Sequence, residues 1–382
     1  METLKSLSNY SRTRPETLVD LHKKGVKIIG YTGRFVPEEL IYAAGAVPYL
    51  ICRGGDPEAV DAVLPYMLRF MSPYARQQIG YHLLGLDPLV PVMDLIVAQC
   101  TDCHMSRLAD LFEHFKLPTL KLGVPPDWKK VFSYDYYFKG LMRLKKNLEK
   151  LTGNEITHEK LKESIKSLNK IRGLLRSIDQ LRRKKPVIGG YNFIQLNHFS
   201  FNCDPSTFIQ EAESLFEELK KNGHRSEDAP RILLAGHVVA MGDYVVPRII
   251  EECKGAVASE FLDEGMRFYQ WNVKLEGDLM KNLARTYYYD RIPPSIFQPA
   301  WHERLAHLEK KTKDYNIDEV VWYQLSFEEV YNMESSVVSK RMKEINMPFL
   351  KLESSYDYSR EATAPLRTRI ESSIESIRAK RR

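Results

Sequence analysis

The apolar positions of this chain change their period twice. In the first third, short apolar runs alternate with segments of helical length. "VKIIGYTG" (26–33), "VPYLICRGG" (47–55), "DLIVAQC" (94–100) and "PTLKLGVP" (118–125) read as buried strands that end in turns. "VPEELIYAAGAVP" reads as a helix between the first two, with Pro37 in its first turn and Gly45 at its end. This is the pattern of a parallel sheet covered by helices.

The middle has apolar residues every three or four positions, with charge filling the rest. "YDYYFKGLMRLKKNLEKLTG" and "THEKLKESIKSLNKIRGLLRSIDQLRRKK" predict two amphipathic helices, broken at Gly153–Asn154 and ended before Pro186. Thr157 suits the start of the second, with Lys160 where a capping box prefers Glu. "CDPSTFIQEAESLFEELKKNG" predicts a further helix closed by Gly223. The last part returns to strands at 231–239, 256–261, 320–325 and 348–355. Asp243 is the expected cap of the helix "GDYVVPRIIEECKG", and Pro365 lies near the start of a terminal helix. The expected fold class is α/β: two parallel-sheet (Rossmann/flavodoxin-like) domains with a helical segment between them. The expected boundaries are 1–128, with the Cys100/Cys103 loop, 129–225 for the connector, and 226–382. The two ends read as two versions of one architecture.

Composition adds limits. The chain has 382 residues, 43% hydrophobic and 28% charged, which is ordinary for a globular protein with a large core. No apolar run approaches the roughly 20 residues of a membrane span, and the N-terminus lacks an apolar signal core. A cytoplasmic protein is expected. The net charge of +6 comes with basic runs at Leu181–Pro186 and Arg378–Arg382, read as solvated helix ends. No recognition motif accompanies them, so neither nucleic acid nor membrane is an expected partner. The excess suits an anionic substrate or an acidic electron donor.

Five cysteines, Cys52, Cys100, Cys103, Cys203 and Cys253, are too few and too scattered for a disulfide framework. "IVAQCTDCHMSRLADLFE" puts Cys100 and Cys103 at a strand-to-helix turn, with His104 beside them. A helix N-terminus favours a thiolate, but Asp102 opposes it. A dithiol, a zinc half-site, an iron–sulfur loop and a structural pair all stay open on these residues.

Ligands of open parallel sheets bind beyond the carboxyl ends of the strands. That rule collects Thr32, Gly33 and Arg34, the cysteine loop, His237 with Asp263 and Glu264, and "QLSFEEVYNMES". Plain structural roles compete. A hydrogen-bonded His237, a solvated turn at Asp263–Glu264 and helix capping at Glu328–Glu329 are expected. Trp322, Tyr331 and Met333 are expected in the core, and "NHFSFNCDPS" (197–206) as an aromatic loop. Arg360, Arg367 and Arg369 read as surface charge.

"GYTGRFVPEELIYAAGAVPYLICRGG" resembles the N-terminal motif of the 2-hydroxyacyl-CoA dehydratase D-component family, which includes the benzoyl-CoA reductase core subunits. "DLIVAQCTDCHMSRLADLFE" resembles its cysteine loop. "PRILLAGHVVAMGD", "VVWYQLSFEEVYNMES" and "MPFLKLESSYDYSREATAPLRTRIES" resemble its second α/β domain, and the last looks more like the benzoyl-CoA reductase side. The resemblance covers the whole chain in order. It implies a dimer with a paralogous core subunit or a second copy. It implies a [4Fe–4S] cluster held by three cysteines beside a CoA-thioester pocket. It also implies a separate ATP-dependent activator, with its own iron–sulfur cluster, that donates low-potential electrons for radical, oxygen-sensitive chemistry.

The sequence departs from that pattern. Met71–Ser72 and Ser326–Phe327 stand where the family offers two of its thiolates. The candidate metal ligands are then Cys100 and Cys103, with Cys203 as a third. His104 and His237 are the candidate catalytic residues, and Thr32, Arg34 and Ser326 the candidate cofactor-binding ones. The expected function is a subunit of an iron–sulfur enzyme acting on CoA thioesters, most like a benzoyl-CoA reductase core subunit. The alternatives are a 2-hydroxyacyl-CoA dehydratase subunit, and a cluster-poor, pocket-forming partner of a cluster-bearing paralogue.

Overall fold

A computed structural model describes residues 2–222, 229–298 and 300–381. Two sheets organise it. The first contains β1 (Ile28–Thr32), β2 (Val47–Leu50), β3 (Leu95–Cys100) and β4 (Thr119–Gly123), in the order β2-β1-β3-β4. The second contains β5 (Arg231–Val238), β6 (Ala256–Glu264), β7 (Glu319–Leu325) and β8 (Phe349–Ser354), in the order β6-β5-β7-β8. Every pairing is parallel. The orders are the same, so the two ends of the chain are two copies of one topology. The strand order reverses between β1 and β3, and again between β5 and β7, and crevices open at such points.

The helices account for the long amphipathic patterns. Val131–Thr152 ends at Gly153, whose φ of 70° closes it. Helix His158–Lys184 starts at Thr157, whose hydroxyl accepts from Lys160 N. The helix Glu2–Lys23 packs against helices Gly190–Asn202 and Pro205–Asn222. No helix among the described residues is long and apolar enough to cross a membrane.

Several local expectations are corrected. The segment 197–206 is mostly helix, not loop: Gly190–Asn202 is helical and buries residues nearly all round. Such a helix has no polar stripe to show its period. Asp243 does not cap the helix Val245–Glu252; it is buried and accepts from the hydroxyls of Tyr323 and Tyr358. Strand β6 runs on through Asp263 and Glu264, so these acids are not a solvated turn. Met333 is exposed, whereas Trp322 and Tyr331 lie in the core. Arg182, in the first basic run, is buried against Glu260 rather than solvated. Gly223 lies outside the described residues.

Buried arginine–carboxylate pairs join the halves. Arg172, on helix His158–Lys184, donates to Glu39 Oε1 at 2.6 Å and to the Tyr287 hydroxyl. Arg267, just after β6, pairs with Glu38. Arg34 donates to the carbonyls of Asp263 (3.0 Å) and Ile292 (2.6 Å). Breaking one buried pair strands its partner charge, at a cost of ~3–5 kcal/mol. Arg172→Met is expected to lower urea-unfolding stability by about that much. Arg172→Met combined with Glu39→Gln should recover most of the loss. A single substitution with wild-type stability would remove this pair from the joint.

Candidate functional site: a cleft between the carboxyl ends of the two sheets

The carboxyl ends of both sheets line a cavity of about 100 Å³. Its walls include Ser72, Cys103, His104, His237, Glu264 and Glu328. Asp102 caps the helix Cys103–His114, accepting from Met105 N at 2.9 Å. That places Cys103 and His104 in its first turn. The Cys103 thiol is pushed up, first by burial and then by Asp102, so the helix end does not generate a ready thiolate. Cys100 does not reach the cavity. It follows Gln99 on β3, and successive strand residues point to opposite faces. Gln99 faces the cavity, and Cys100 packs against the core.

His104 Nδ1 accepts from Ser72 N at 3.3 Å, and its Nε2 stands 3.8 Å from the Glu329 carboxylate. His237 is buried, and its ring tilts over Tyr331 with centroids 4.3 Å apart. Burial pushes it down to about 3, so it is neutral at ordinary pH. Its Nδ1 has no hydrogen-bond partner and lies 3.5 Å from Glu328 Oε1. Gly236 permits this position. Its φ is 130°, and a Cβ there would fall 2.0 Å from the Tyr323 carbonyl. Burial raises Glu328 well above the usual carboxylate range, which leaves it a neutral acid. Glu328 therefore does not act as a solvated cap. Phe327, at φ 65°, turns the chain into this position and packs edge-on against Phe70.

A smaller cavity of about 30 Å³ adjoins the first and shares Tyr74 and Glu264 as walls. Arg34 lines it, with its guanidinium 3.8 Å over the Phe268 ring. Its Nε is buried without a partner. Arg291 lies 3.7 Å over Tyr287 and donates to the Arg34 carbonyl.

Glu264 stands between the two cavities. Its Oε1 accepts from Gln99 Nε2 at 3.0 Å. Gln99 is fixed in turn, because its Oε1 accepts from Phe35 N at 3.1 Å. Gly33 makes room for that amide: its φ is 71°, and a Cβ there would lie 1.7 Å from Gln99 Nε2. Burial pushes Glu264 up to about 7, against the opposing pull of Arg34 and of the Gln99 hydrogen bond.

The structure thus brings His104, His237 and Cys103 to one cavity and Arg34 to its neighbour. Thr32 is a latch, whose Oγ1 accepts from Gln99 N at 3.1 Å. Ser326 lies aside and donates to Glu353 at 2.9 Å. Cys203 is buried at the end of helix Gly190–Asn202, near Arg14 and Asp204, with its thiol pushed up to about 12. It lines neither cavity. Gln99 is the member of the site that residue-by-residue reading missed, while Glu264 and Glu328 were collected by the strand-end rule but read as a solvated turn and a helix cap. A polar Gln at the end of an otherwise apolar strand was the available signal for Gln99.

The fold and this cleft define a two-sheet parallel α/β protein with its site between facing strand ends. The family model for the 2-hydroxyglutaryl-CoA dehydratase D-component matches residues 34–377, and the chain belongs to that family. YjiM of Escherichia coli (strain K12), named as a candidate dehydratase subunit, is 26% identical over 94% of both chains. The beta subunit of (R)-2-hydroxyglutaryl-CoA dehydratase from Acidaminococcus fermentans is 24% identical, covering 88% of this chain and 90% of its own. A benzoyl-CoA reductase subunit from Thauera aromatica is 22% identical, covering 85% and 84%.

A three-thiolate [4Fe–4S] cluster does not fit the residues of this cleft. Of the five cysteines, only Cys103 lines the larger cavity. Among the described residues, no group of three or more His, Cys, Asp and Glu side chains is arranged to hold a metal ion.

The raised Glu264 carries a consequence for stability. The unfolded carboxyl titrates at about 4.3, and the folded one at about 7. Between those values the folded chain binds the extra proton, so this group's contribution falls as pH rises from 4 to 7. Glu264→Gln is expected to be more stable than wild type at pH 8 by roughly 1–3 kcal/mol, with a smaller gap at pH 5. Urea unfolding at both pH values checks this. A gap that does not change with pH would mean an ordinary carboxylate.

Proposed function

We propose that this chain is a subunit of a CoA-thioester dehydratase of the 2-hydroxyacyl type, and that it supplies the acyl pocket and its acid–base groups. One observation carries the reading: Glu264, which accepts from Gln99, lines both cavities alongside the Arg34 charge, where an acyl group can meet it. Loss of a hydroxyl as water needs a proton on the departing oxygen. In the proposed step one electron from outside the chain has entered the thioester carbonyl. The Glu264 O–H bond breaks, its proton joins the leaving hydroxyl, and the C–O electron pair departs with that oxygen as water. The neutral acyl radical left behind then loses its β-proton and returns the electron. Gln99 holds the resulting carboxylate, and the nearby Arg34 charge favours it, until solvent returns the proton. Neutral His237 and protonated Glu328 shape the adjoining cavity without adding buried charge. His104 lies nearest Glu329, on the more open side.

The electron for such chemistry comes, on this reading, from outside the chain. The cluster resides in a paralogous subunit, and an ATP-dependent activator feeds it. The lone thiol at the cavity supports this division over a self-sufficient cluster. A second copy of the chain would add another cleft of the same composition, so the paralogue is the proposed partner.

The test is anaerobic co-purification with a paralogous subunit and activator, followed by water loss from a set of 2-hydroxyacyl-CoA thioesters. Benzoyl-CoA serves as the alternative substrate. Glu264→Gln is expected to lower turnover by ~10²–10⁴-fold, the range of a general acid, with assembly unchanged. Wild-type turnover in that variant would sink the assignment. The isolated chain is expected to contain no stoichiometric iron. A full [4Fe–4S] signal by electron paramagnetic resonance, lost on Cys103→Ala, would overturn the cluster-poor reading.

A further inference from the structure

Backbone also joins the two halves, along a seam away from the arginine pairs. The loop after β2 and the loop after β5 run side by side, bridged at Arg53 and Met241. Met241 N donates to the Cys52 carbonyl at 3.0 Å, and Gly54 N donates to the Met241 carbonyl at 2.9 Å. The chains approach so closely that both need glycine. A Cβ at Gly54 would fall 2.7 Å from Ala240 Cβ. One at Gly242, whose φ is 103°, would fall 2.5 Å from the Gly54 carbonyl oxygen.

Asp243 follows this seam and is fully buried. Its Oδ2 lies 2.9 Å from the Tyr323 hydroxyl, its Oδ1 is hydrogen-bonded to the Tyr358 hydroxyl, and the two hydroxyls lie 3.0 Å apart. Three contacts therefore close a ring of three groups. The two phenols supply two hydrogens, and an ionised carboxylate supplies none, so one contact would set lone pairs against each other. A proton on Asp243 gives every contact its hydrogen. Burial acts in the same direction, pushing Asp243 up to about 7 against the pull of the two phenols. Tyr356 is the other titratable group beside this carboxyl; it also feels the Cys52 thiol, and its hydroxyl is buried without a partner. Among the described residues no cation pairs with Asp243. Arg53, on the facing loop, is turned to the Tyr49 hydroxyl and Asp87.

One side chain ties the seam to the cleft. Gln78 Oε1 accepts from Arg53 N at 2.7 Å, and its Nε2 donates to the carbonyls of Arg53 at 2.8 Å and Tyr74 at 2.7 Å. Tyr74 lies in the first turn of the same helix, Pro73–Leu83, and walls both cavities of the cleft. We propose that the Asp243–Tyr323–Tyr358 ring is a proton-operated lock on this seam. It holds the two loops together while Asp243 carries its proton, and it loosens them, and with them the Tyr74 wall, when that proton leaves. Loosened loops expose the carboxyl to water, where it titrates at about 3.9. The closed ring therefore binds the extra proton. The lock is fully set below that value, weakens as pH rises to about 7, and changes no further above it. It requires no particular substrate, so it stands apart from the function proposed above.

Amide hydrogen exchange of the full chain, corrected for the intrinsic effect of pH on exchange, tests the lock. Opening of segments 51–55 and 239–244 is expected to rise at least ~10-fold between pH 5 and pH 7.5, while the helix His158–Lys184 serves as the internal reference. Asp243→Asn, which keeps a neutral group in the ring, is expected to abolish that rise. Tyr358→Phe removes a hydroxyl that favours the carboxylate, so the rise is expected to extend to higher pH before it levels. The lock is overturned if wild-type opening at the seam rises no more than in the reference helix. It is overturned equally if Asp243→Asn keeps the rise, or if Tyr358→Phe levels at the wild-type pH.

Discussion

The buried arginines between the two sheets set the position of everything else. Arg172 reaches Glu39 from the long helix, Arg267 reaches Glu38 from the end of β6, and Arg34 reaches the carbonyl of Asp263 from the end of β1. Adjacent glutamates on one short helix are thus claimed by two arginines from different parts of the chain. Such pairs contribute little net stability, because desolvation offsets attraction. Their effect here is on geometry. A guanidinium fork accepts few orientations, so the facing strand ends are held in one relative position. Arg304, between Asp263 and Glu334, fixes the far wall in the same way.

That arrangement also explains the electrostatics of the cleft. Closing two sheet ends on each other removes water from the polar groups deepest between them, among them His237, Glu264 and Glu328. Groups without a charged partner answer by becoming neutral: His237 loses its proton, and Glu328 keeps one. Glu39, locked to Arg172, stays below the usual range. Glu264 falls between these cases, since Arg34 and Gln99 offset only part of its burial. A carboxyl poised near neutrality is what proton transfer at ordinary pH requires. The cleft produces one by incomplete compensation, and Gly33 is part of the cause because it admits the Gln99 amide.

What the sequence disclosed follows from how local each cause is. The strands were legible because a strand buried on both faces is an unbroken apolar run. Both sheets and the long amphipathic helices follow from such runs and periods, and the cysteine loop lies where the strand-end rule places it. Illegible were the residues whose partners lie far along the chain. Glu264 meets Gln99 across 165 positions, Arg182 meets Glu260 across 78, and Asp243 meets Tyr358 across 115. Read locally, each is an ordinary polar residue of a turn or helix end. The helix Gly190–Asn202 was hidden for another reason: a helix buried on most of its surface has no polar stripe.

The departures from the family's cysteine pattern then read as one change rather than several. Ser72 is not an idle replacement. Its Oγ accepts from Ala75 N to cap a helix, and its N–H donates to His104. Phe327 takes a left-handed conformation that carries Glu328 inward, beside His237. Where thiolates would leave negative charge to be balanced by iron, this cleft has the Ser72 hydroxyl, the neutral His237 imidazole and the protonated Glu328. These need no metal to be stable in a buried place, because their neutral forms suffice. On the proposed function, a subunit built this way keeps the shape of a thioester cleft while the electron-carrying group resides in its partner. On the proposed function, the electron crosses the subunit boundary to reach the acyl group. The exposed apolar side chains Phe70 and Phe327 pack edge-on against each other, and each lies within two residues of a wall of this cleft, Ser72 and Glu328.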